Sequence, residues 1–406
     1  MKKKTFSFFG LILLLAGGIL MYGFRHKSRQ EHYVVVVSLD GFRSDYPDRA
    51  KVPTLDSLAK VGVKSAFRPC FPSVTFPNHY AMATGLHPDH NGLINNYFYA
   101  SDLKRVYRLG DREAVANPAF YGGEPIWITA EKQGVKTASF FWVGTETPIQ
   151  GRQPSIWKKY DKSVSYTDRA DSVVSWLQLP GNERPHLIMW YIEEPDGIGH
   201  TATPDSSATI EKVEALDAVL NHFFTKVRQL DIFPKIDFIV LSDHGMATYR
   251  PENYVNLNDY LPRDSFDYVF DGVPTLLYPK SGYADSAYAV LQRVPRVKVW
   301  KKHEIPEKYV YGTHPRIGEL VVMPDVGTML HFREISHPAL GGAHGYDNFA
   351  PEMEAIFYAA GPSFKKQTEV PVMANVNLYL LLTRLLDLEP APNDGDSLVV
   401  SRLLQK

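Results

Sequence analysis

The stretch YVVVVSLD, residues 33–40, joins a continuous run of β-branched side chains to an aspartate. A run without polar alternation is typical of a strand that is buried on both faces, and such strands lie at the centre of parallel sheets. In open α/β sheets, binding sites form beyond the carboxyl ends of the strands. The stretch therefore predicts an α/β fold and makes Asp40 the first candidate site residue.

Further apolar runs extend this sheet. Buried strands are predicted at 187–192 and 236–241, with a periodic helical stretch at 207–230 between them. A strand, a helix and a second parallel strand form a right-handed crossover, which indicates a central, mostly parallel sheet flanked by helices. The remaining predicted elements are a helix at 54–61, a returning strand at 354–360 and a closing helix at 375–386.

Length and composition indicate one large catalytic domain. The 406 residues are 44% hydrophobic and 13% aromatic, enough to bury a sizeable core. The formal net charge of -1 gives no overall electrostatic case for binding nucleic acid or an anionic membrane surface. The predicted domains are an N-terminal targeting segment at 1–30, a catalytic domain at 31–392 with an α+β subdomain inserted at 253–335, and a C-terminal tail at 393–406.

The N-terminus has the pattern of an export segment. Met-Lys-Lys-Lys is followed by an uncharged, mostly apolar run at 5–24, which is long enough to cross a bilayer as a helix. No small-x-small cleavage motif follows it, which favours an uncleaved membrane anchor over a cleaved signal peptide. Cys70 is the one cysteine, so no intrachain disulfide forms. We therefore expect export to a bacterial periplasm or inner membrane, with the catalytic domain outside the cytoplasm.

Metal-type side chains follow several of the apolar runs. Imidazole nitrogen and carboxylate oxygen suit zinc, and a zinc with three protein ligands keeps an open position for chemistry. A single residue of this kind is more often a helix cap, a turn residue or a hydrogen-bonded structural histidine. Their recurrence favours two three-ligand sets. The six residues are Asp40, Asp196, His200, Asp243, His244 and His344.

Thr75 is a candidate nucleophile. It precedes Pro77, and a helix is predicted to begin near Asn78. Backbone N–H groups at a helix N-terminus suit a phosphate, and a hydroxyl there becomes nucleophilic when a metal lowers its pKa. The alternative is that Thr75 only caps the helix. The metal-type residues elsewhere in the chain favour the nucleophile.

Six sequence blocks resemble those of one enzyme family. They are similar, in the same order, to blocks of the nucleotide pyrophosphatase/phosphodiesterase family within the alkaline phosphatase superfamily. The resemblance covers residues 33–390 and implies an alkaline-phosphatase-like fold. The blocks are SLDGFR (38–43), TFPNHY (75–80), TGLHPDHNG (84–92), PDGIGH (195–200), SDHGM (242–246) and GAHGYDN (342–348).

The resemblance implies two zinc ions per chain and a covalent mechanism. Thr75 attacks phosphorus and forms a phospho-threonine intermediate, while Asn96 and the Phe76 backbone N–H stabilise the phosphoryl oxygens. Asn95 is the alternative to Asn96. The implied ligands are Asp196, His200 and His344 for one zinc, and Asp40, Asp243, His244 and the Thr75 oxygen for the other.

The resemblance also implies a small phosphodiester substrate. Phe76 and Tyr160 match positions where relatives that hydrolyse nucleotides sandwich the base, which favours nucleotides and their derivatives. A choline or phospholipid headgroup diester is the alternative. We expect membrane contact only through the N-terminal segment, and neither a nucleic-acid duplex nor a protein partner is indicated.

Three other readings remain to be compared. CFPSV at 70–74 begins a sulfatase pattern, but Thr75 stands where that pattern requires arginine. An alkaline phosphomonoesterase needs extra cations for a terminal dianion, and Arg152, Lys158 and Lys159 are candidates for that role. A membrane-anchored binding protein that has lost catalysis would normally lack a ligand or the nucleophile, yet all are present in this sequence.

Overall fold

The computed structural model describes residues 31–335 and 339–405, so the predicted N-terminal signal peptide or anchor lies outside the described residues. In the part that is described, no helix is both long and apolar enough to cross a membrane. The strands, in chain order, are β1 (Tyr33–Leu39), β2 (Val63–Arg68), β3 (Tyr97–Ala100), β4 (Arg105–Arg108), β5 (Thr137–Phe140), β6 (Ile156–Lys158), β7 (Leu187–Ile192), β8 (Ile236–Leu241), β9 (Ala247–Tyr249), β10 (Tyr254–Asn256), β11 (Phe266–Phe270), β12 (Thr275–Pro279), β13 (Val297–Lys301), β14 (Leu320–Pro324), β15 (Met329–His331), β16 (Gly341–Ala343), β17 (Ala355–Ala360), β18 (Thr368–Glu369) and β19 (Met373–Ala374).

The α-helices lie between these strands. Those of the described residues are α1 (Pro53–Val61), α2 (Thr75–Thr84), α3 (Pro88–Asn91), α4 (Arg112–Val115), α5 (Ile126–Lys132), α6 (Tyr166–Leu177), α7 (Asp196–Ala202), α8 (Ser207–Val227), α9 (Ala284–Leu291), α10 (Asn377–Leu385) and α11 (Ser397–Leu403).

A nine-stranded sheet forms the centre of the fold. Its order is β18-β2-β17-β8-β1-β7-β5-β6, and β19 also pairs with β2. β1 pairs in parallel with both β7 and β8, and β17 is antiparallel to β2 and β8. The predicted strands at 187–192 and 236–241 are confirmed as β7 and β8, but β1 lies between them. The mostly parallel sheet of the α/β prediction is confirmed.

Alternate residues of β1 face two different cores. Val34 and Val36 pack in a core with residues of α2, α5 and α10, whereas Val35 and Val37 pack with residues of α1, α6 and α8. Every side chain of β1 is buried. The continuous β-branched run follows from this placement, because a strand covered by helices on both faces has no solvent side that requires polar residues.

The segment predicted as an inserted subdomain contains a second sheet. Its antiparallel order is β11-β12-β14-β13, and a small core under α9 accompanies it. The turn between β11 and β12 reaches the main domain: a Cβ built on Gly345 would lie 1.9 Å from the Val273 carbonyl oxygen, so only glycine allows this approach. The second sheet therefore contributes to the site beside His344.

Of the C-terminal tail predicted at 393–406, the described residues 393–405 are part of the folded unit. They include α11, whose Val400 and Leu403 are buried in the core with α10. Leu404 forms a β-bridge with Phe364. The apolar positions of this segment are spaced for a helix, and burying them stabilises the closing end of the chain.

Candidate metal centre and catalytic site

The candidate site residues meet at the carboxyl edge of the main sheet. Asp40 follows β1, Asp196 begins α7 after β7, and Asp243 with His244 follows β8. These three strands are parallel neighbours, so their carboxyl ends share one edge. His344 comes from outside this sheet. It follows β16, which pairs with β9, and the pair Ala343–Ala247 brings it beside His244.

The first metal group contains Asp196, His200 and His344. The His200 Nε2 atom lies 3.3 Å from Asp196 Oδ2, and the His344 Nε2 atom lies 3.5 Å from Asp196 Oδ1. Although two glycines separate Asp196 from His200, this block is helical and forms the start of α7. Residues four apart lie on one helix face, which directs both side chains to the same point.

The second metal group contains Asp40, Asp243 and His244, and all three are buried. The His244 Nε2 atom lies 3.5 Å from Asp40 Oδ1 and 3.1 Å from Asp243 Oδ2. Because β8 ends at Leu241, the backbone is free to turn both Asp243 and His244 towards one point. The two sets are those that the resemblance implies.

Each histidine of the two groups has a fixed ring orientation. The Nδ1 atom donates to a backbone carbonyl oxygen, and Nε2 is left for a metal. This arrangement is typical of metal-ligating histidines. The three bonds are His200 to Gly342 at 2.8 Å, His244 to Gly245 at 2.9 Å and His344 to Ser73 at 2.9 Å.

The donor set fits divalent cations. One buried oxygen of each carboxylate, Asp40 Oδ1, Asp196 Oδ1 and Asp243 Oδ2, accepts no hydrogen bond. Burial raises the pKa of Asp40 well above its usual range, and the nearby Asp243 and Asp196 carboxylates add to the shift. Buried carboxylates crowded in this way are costly unless a cation compensates them. The unsatisfied oxygens face the histidine Nε2 atoms, as in a metal site.

Gly41 allows the two acidic loops to meet. Its φ of +67 is left-handed, and a Cβ there would lie 2.9 Å from the Asp196 Cα and Cβ atoms. The Gly41 N–H also donates to Asp243 Oδ1 at 3.2 Å. A side chain at this position would separate Asp196 from Asp40.

Thr75 lies between the helix and the second metal group. Helix α2 begins at Thr75 itself, not near Asn78, and Pro77 is accommodated in the first turn, where a missing N–H costs little. The N-cap is Val74, and no side chain caps the helix. Thr75 Oγ1 instead lies 3.2 Å from His244 Nε2. The capping alternative is therefore wrong.

Asn96 has one donor aimed at the site. Its Oδ1 atom accepts from the Phe76 N–H at 2.9 Å, which assigns the amide orientation and leaves Nδ2 as the free donor. The expected contact of the Phe76 N–H with a phosphoryl oxygen stays a prediction, and in this structure that N–H donates to Asn96 instead. Pro77 has no N–H, and the Asn78 N–H donates to Val74. The Asn96 amide therefore lies at the N-terminus of α2, bonded to its Phe76 N–H.

Two cavities open on either side of Thr75. The aromatic cavity, about 240 Å³, is lined by Phe76, Phe141, Trp142 and Tyr160. The second cavity, about 290 Å³, contains His200 and His344 and extends to the turn after β11. The structure thus brings Phe76 and Tyr160 to one cavity. Arg152, Lys158 and Lys159, the cations considered for a phosphomonoesterase, are exposed and line neither cavity.

Sequence reasoning missed two residues that position the site. Tyr191 donates from its hydroxyl to Asp40 Oδ2 at 2.6 Å. His79 is fully buried, with Nε2 2.8 Å from Ser38 Oγ and Nδ1 3.3 Å from Asp243 Oδ2. A signal for His79 exists, because it is four residues from Thr75 on α2 and thus shares its helix face.

The fold is alkaline-phosphatase-like, and the site has the side chains of a metallohydrolase. A family model described as type I phosphodiesterase / nucleotide pyrophosphatase matches residues 34–347. The chain belongs to this family, as the six sequence blocks predicted.

Named relatives agree with this assignment. Ectonucleotide pyrophosphatase/phosphodiesterase family member 3 of Bos taurus is 34% identical over 92% of this chain and 44% of its own length. Family member 1 of Homo sapiens is 35% identical over 91% of this chain and 42% of its own length. The chain thus spans less than half the length of these curated relatives. A solved structure of murine ectonucleotide pyrophosphatase/phosphodiesterase 5, an inactive threonine-to-alanine variant in complex with AMP, superposes with a TM-score of 0.88 at 31% identity, covering 92% of this chain and 100% of that chain.

Proposed function

We propose that this protein hydrolyses phosphodiester or pyrophosphate bonds in nucleotides and their derivatives through a phospho-threonine intermediate. One observation carries the proposal: the Thr75 hydroxyl, free of any capping role, lies beside a buried Asp/His group and within the same cleft as a second such group. A nucleophile between two cation sites is the arrangement that in-line displacement at phosphorus requires.

Two zinc ions are the proposed cofactors. Asp196, His200 and His344 would hold one, and the other group would hold the second with the Thr75 oxygen. When bound, the pair supplies Lewis acidity that lowers the pKa of the Thr75 hydroxyl and stabilises charge on the departing oxygen. The mixed imidazole and carboxylate donors favour zinc over magnesium, which prefers oxygen alone.

The side chains of the site have separate roles in the proposed reaction. Thr75 Oγ1 forms a bond to phosphorus as the bond to the leaving oxygen breaks. Asn96 Nδ2 donates to a phosphoryl oxygen on which charge grows. The Tyr191 hydroxyl holds Asp40 through the oxygen that does not face His244, and the buried His79 ring lies beside Asp243. Water hydrolyses the phospho-threonine and restores the Thr75 hydroxyl.

The aromatic cavity is the proposed site for the base of the nucleotide. Phe76 follows the nucleophile directly and Tyr160 lines the same cavity, so a base held there keeps its phosphate close to Thr75. The AMP bound by the murine relative shows that a protein of this fold accommodates a nucleotide. A choline or lipid headgroup has no aromatic base and would leave this cavity unfilled.

Replacing the nucleophile tests the mechanism. We expect Thr75→Ala to retain its fold and most of its zinc but to lose diesterase activity by several orders of magnitude, since covalent catalysis is removed. Thr75→Ser is the matched control and should keep part of the activity, and with a nucleotide diester as substrate it should carry a nucleotidyl group on the serine after acid quench. Near-normal turnover by Thr75→Ala on aryl, nucleotide and choline-phosphate diesters would instead make a water molecule the attacker.

A further inference from the structure

The cavity beside His200 and His344 is on the side where the leaving group departs. An in-line displacement expels the leaving oxygen opposite to the attacking Thr75 oxygen. Asp196 of the first metal group lines both cavities, but Asp40 of the second group lines only the aromatic cavity and the two histidines of the first group line only this one. Because it is the part of the cleft next to the other cation site, we call it the leaving-group cavity.

The leaving-group cavity has little positive charge of its own. Among the described residues that line it, none is lysine or arginine. Apart from the first metal group, its charged side chain is Asp271, in the turn between β11 and β12. Asp271 Oδ2 is held by the His331 ring at 3.3 Å and by the Phe332 N–H at 3.4 Å. These two contacts hold the Asp271 carboxylate in place in the lining of the cavity.

A nearby arginine does not change the charge of the residues that line the leaving-group cavity. The Arg108 guanidinium lies 5.7 Å from the centre of the Phe270 ring, and Arg108 is exposed and outside the lining of the cavity. Its neighbour across the β3–β4 pair, Tyr97, does line the cavity. Tyr97 is 40% exposed, so its ring is available for stacking.

These observations distinguish between two kinds of leaving group. Pyrophosphate is a polyanion, and sites that bind it normally supply lysine, arginine or additional metal ions. A nucleoside or aryl alcohol carries no charge and gains from stacking on an aromatic side chain. The leaving-group cavity has a carboxylate and an exposed tyrosine in its described lining and neither lysine nor arginine there, which favours an uncharged alcohol as the leaving group.

We propose that the leaving-group cavity selects phosphodiesters that expel an uncharged nucleoside, so that dinucleoside monophosphates are better substrates than nucleoside triphosphates. This rests on the proposed function. In the reaction, the phosphorus–oxygen bond to the second nucleoside breaks, its oxygen takes a proton, and one water molecule completes the hydrolysis to a nucleotide and a nucleoside.

Relative specificity tests the proposal. We expect kcat/KM for a dinucleoside monophosphate to exceed that for ATP by about tenfold or more, since a charge difference near one carboxylate has about this effect. Asp271→Asn, which keeps an oxygen for the Phe332 N–H, should raise the ratio of ATP to dinucleoside turnover by about tenfold. Asp267→Asn, an exposed position on β11 outside both cavities, is the control and should leave the ratio unchanged.

A second variant tests the stacking surface. Tyr97→Ala should lower kcat/KM for the dinucleoside by about fivefold or more and should change ATP turnover less, because only the dinucleoside has a base to stack there. Wild-type turnover of ATP equal to or above that of the dinucleoside overturns the proposal, and this comparison needs no variant. Absence of activity on every diester, including small aryl diesters, would instead refute the proposed function.

Discussion

A single hydrogen bond connects Tyr191 to the second metal group. Its hydroxyl donates to the Asp40 oxygen that does not face His244, and this bond fixes the rotamer of the carboxylate. We expect Tyr191→Phe to weaken zinc affinity by about 10–100-fold, the usual effect of removing a group that supports a metal ligand. Competition with a chromophoric chelator would measure it.

The control for Tyr191 is Tyr46. Tyr46 is fully buried, whereas Tyr191 is half-buried, and the Tyr46 hydroxyl has no hydrogen-bond partner. Tyr46→Phe should leave zinc affinity unchanged. Equal losses in the two variants would assign the effect to packing and not to the bond with Asp40.

Tyr160 is the residue that tests base stacking. If it holds a base against Phe76, Tyr160→Ala should cost about 1–3 kcal/mol of binding, the range for one stacked base. KM for a nucleotide diester should rise, and hydrolysis of a small aryl diester should change little. Trp157 on β6 has a similar exposure, 38% against 37% for Tyr160, and lies outside the cavity. Trp157→Ala is therefore the control, and an equal loss on both substrates would make Tyr160 structural.

The turn after β1 requires glycine at position 41. At Gly41, an alanine side chain would meet Asp196 and would also hold a left-handed φ. Gly134 has a similar φ of +77 with nothing within 4 Å of its Cβ position. Gly134→Ala should therefore cost about 1–2 kcal/mol of stability from backbone strain alone. We expect Gly41→Ala to cost more in urea unfolding and to lose bound zinc, and equal effects would contradict the close approach to Asp196.

A clasp formed by His87, His90 and Asp394 joins α3 to the segment before α11. Both Nδ1 atoms lie 2.7–2.8 Å from Asp394 Oδ2, which is hydrogen-bonding distance. The nitrogen–oxygen separations in the two metal groups are 3.1–3.5 Å, which leaves room for an ion between ligands. The clasp is therefore a hydrogen-bonded connection in this structure.

The clasp makes a prediction about acid stability. Burial acts to raise the pKa of Asp394, but hydrogen bonds from His87 and His90 hold it well below its usual range. The stabilisation is thus present above the unfolded pKa of about 3.9 and is lost as pH falls through the folded value. The difference in melting temperature between wild type and Asp394→Asn should be constant above about pH 5 and shrink below about pH 4. A difference independent of pH would contradict this, and Asp267→Asn provides the control.

At the scale of the whole molecule, the proposed hydrolysis of nucleotides predicts the cellular compartment in which the protein functions. An enzyme that hydrolyses nucleotides in the cytoplasm would attack the ATP and cofactors of its own cell, so we propose that the catalytic domain functions outside it. The predicted N-terminal segment at 1–30 agrees with export. A periplasm-dependent reporter fused to the C-terminus should be active, and a reporter active only in the cytoplasm would refute the placement.

Sequence predicted best where one local feature controls the structure. The bounds of β1, β7 and β8 follow from continuous apolar runs, because a strand buried on both faces leaves a signal that needs no tertiary information. The predicted start of α2 near Asn78 is three residues late, because the first turn of a helix accepts proline and Pro77 lies inside that turn. Helix α7 has no clear local signal, because its first four residues include two glycines, which disfavour a helix.

The fold class, the two metal-type residue sets and the candidate nucleophile could all be predicted from the sequence, through its apolar runs and motif blocks. Other features depend on tertiary contacts. The β9–β16 pair places His344 beside His244. Asn96 accepts a hydrogen bond from the Phe76 N–H. The turn after β11 places Asp271 in the lining of the leaving-group cavity. The physical reason is sequence separation: periodicity and motifs report on residues that are neighbours along the chain, whereas these contacts join segments 20 or more residues apart and exist only after the sheets have packed.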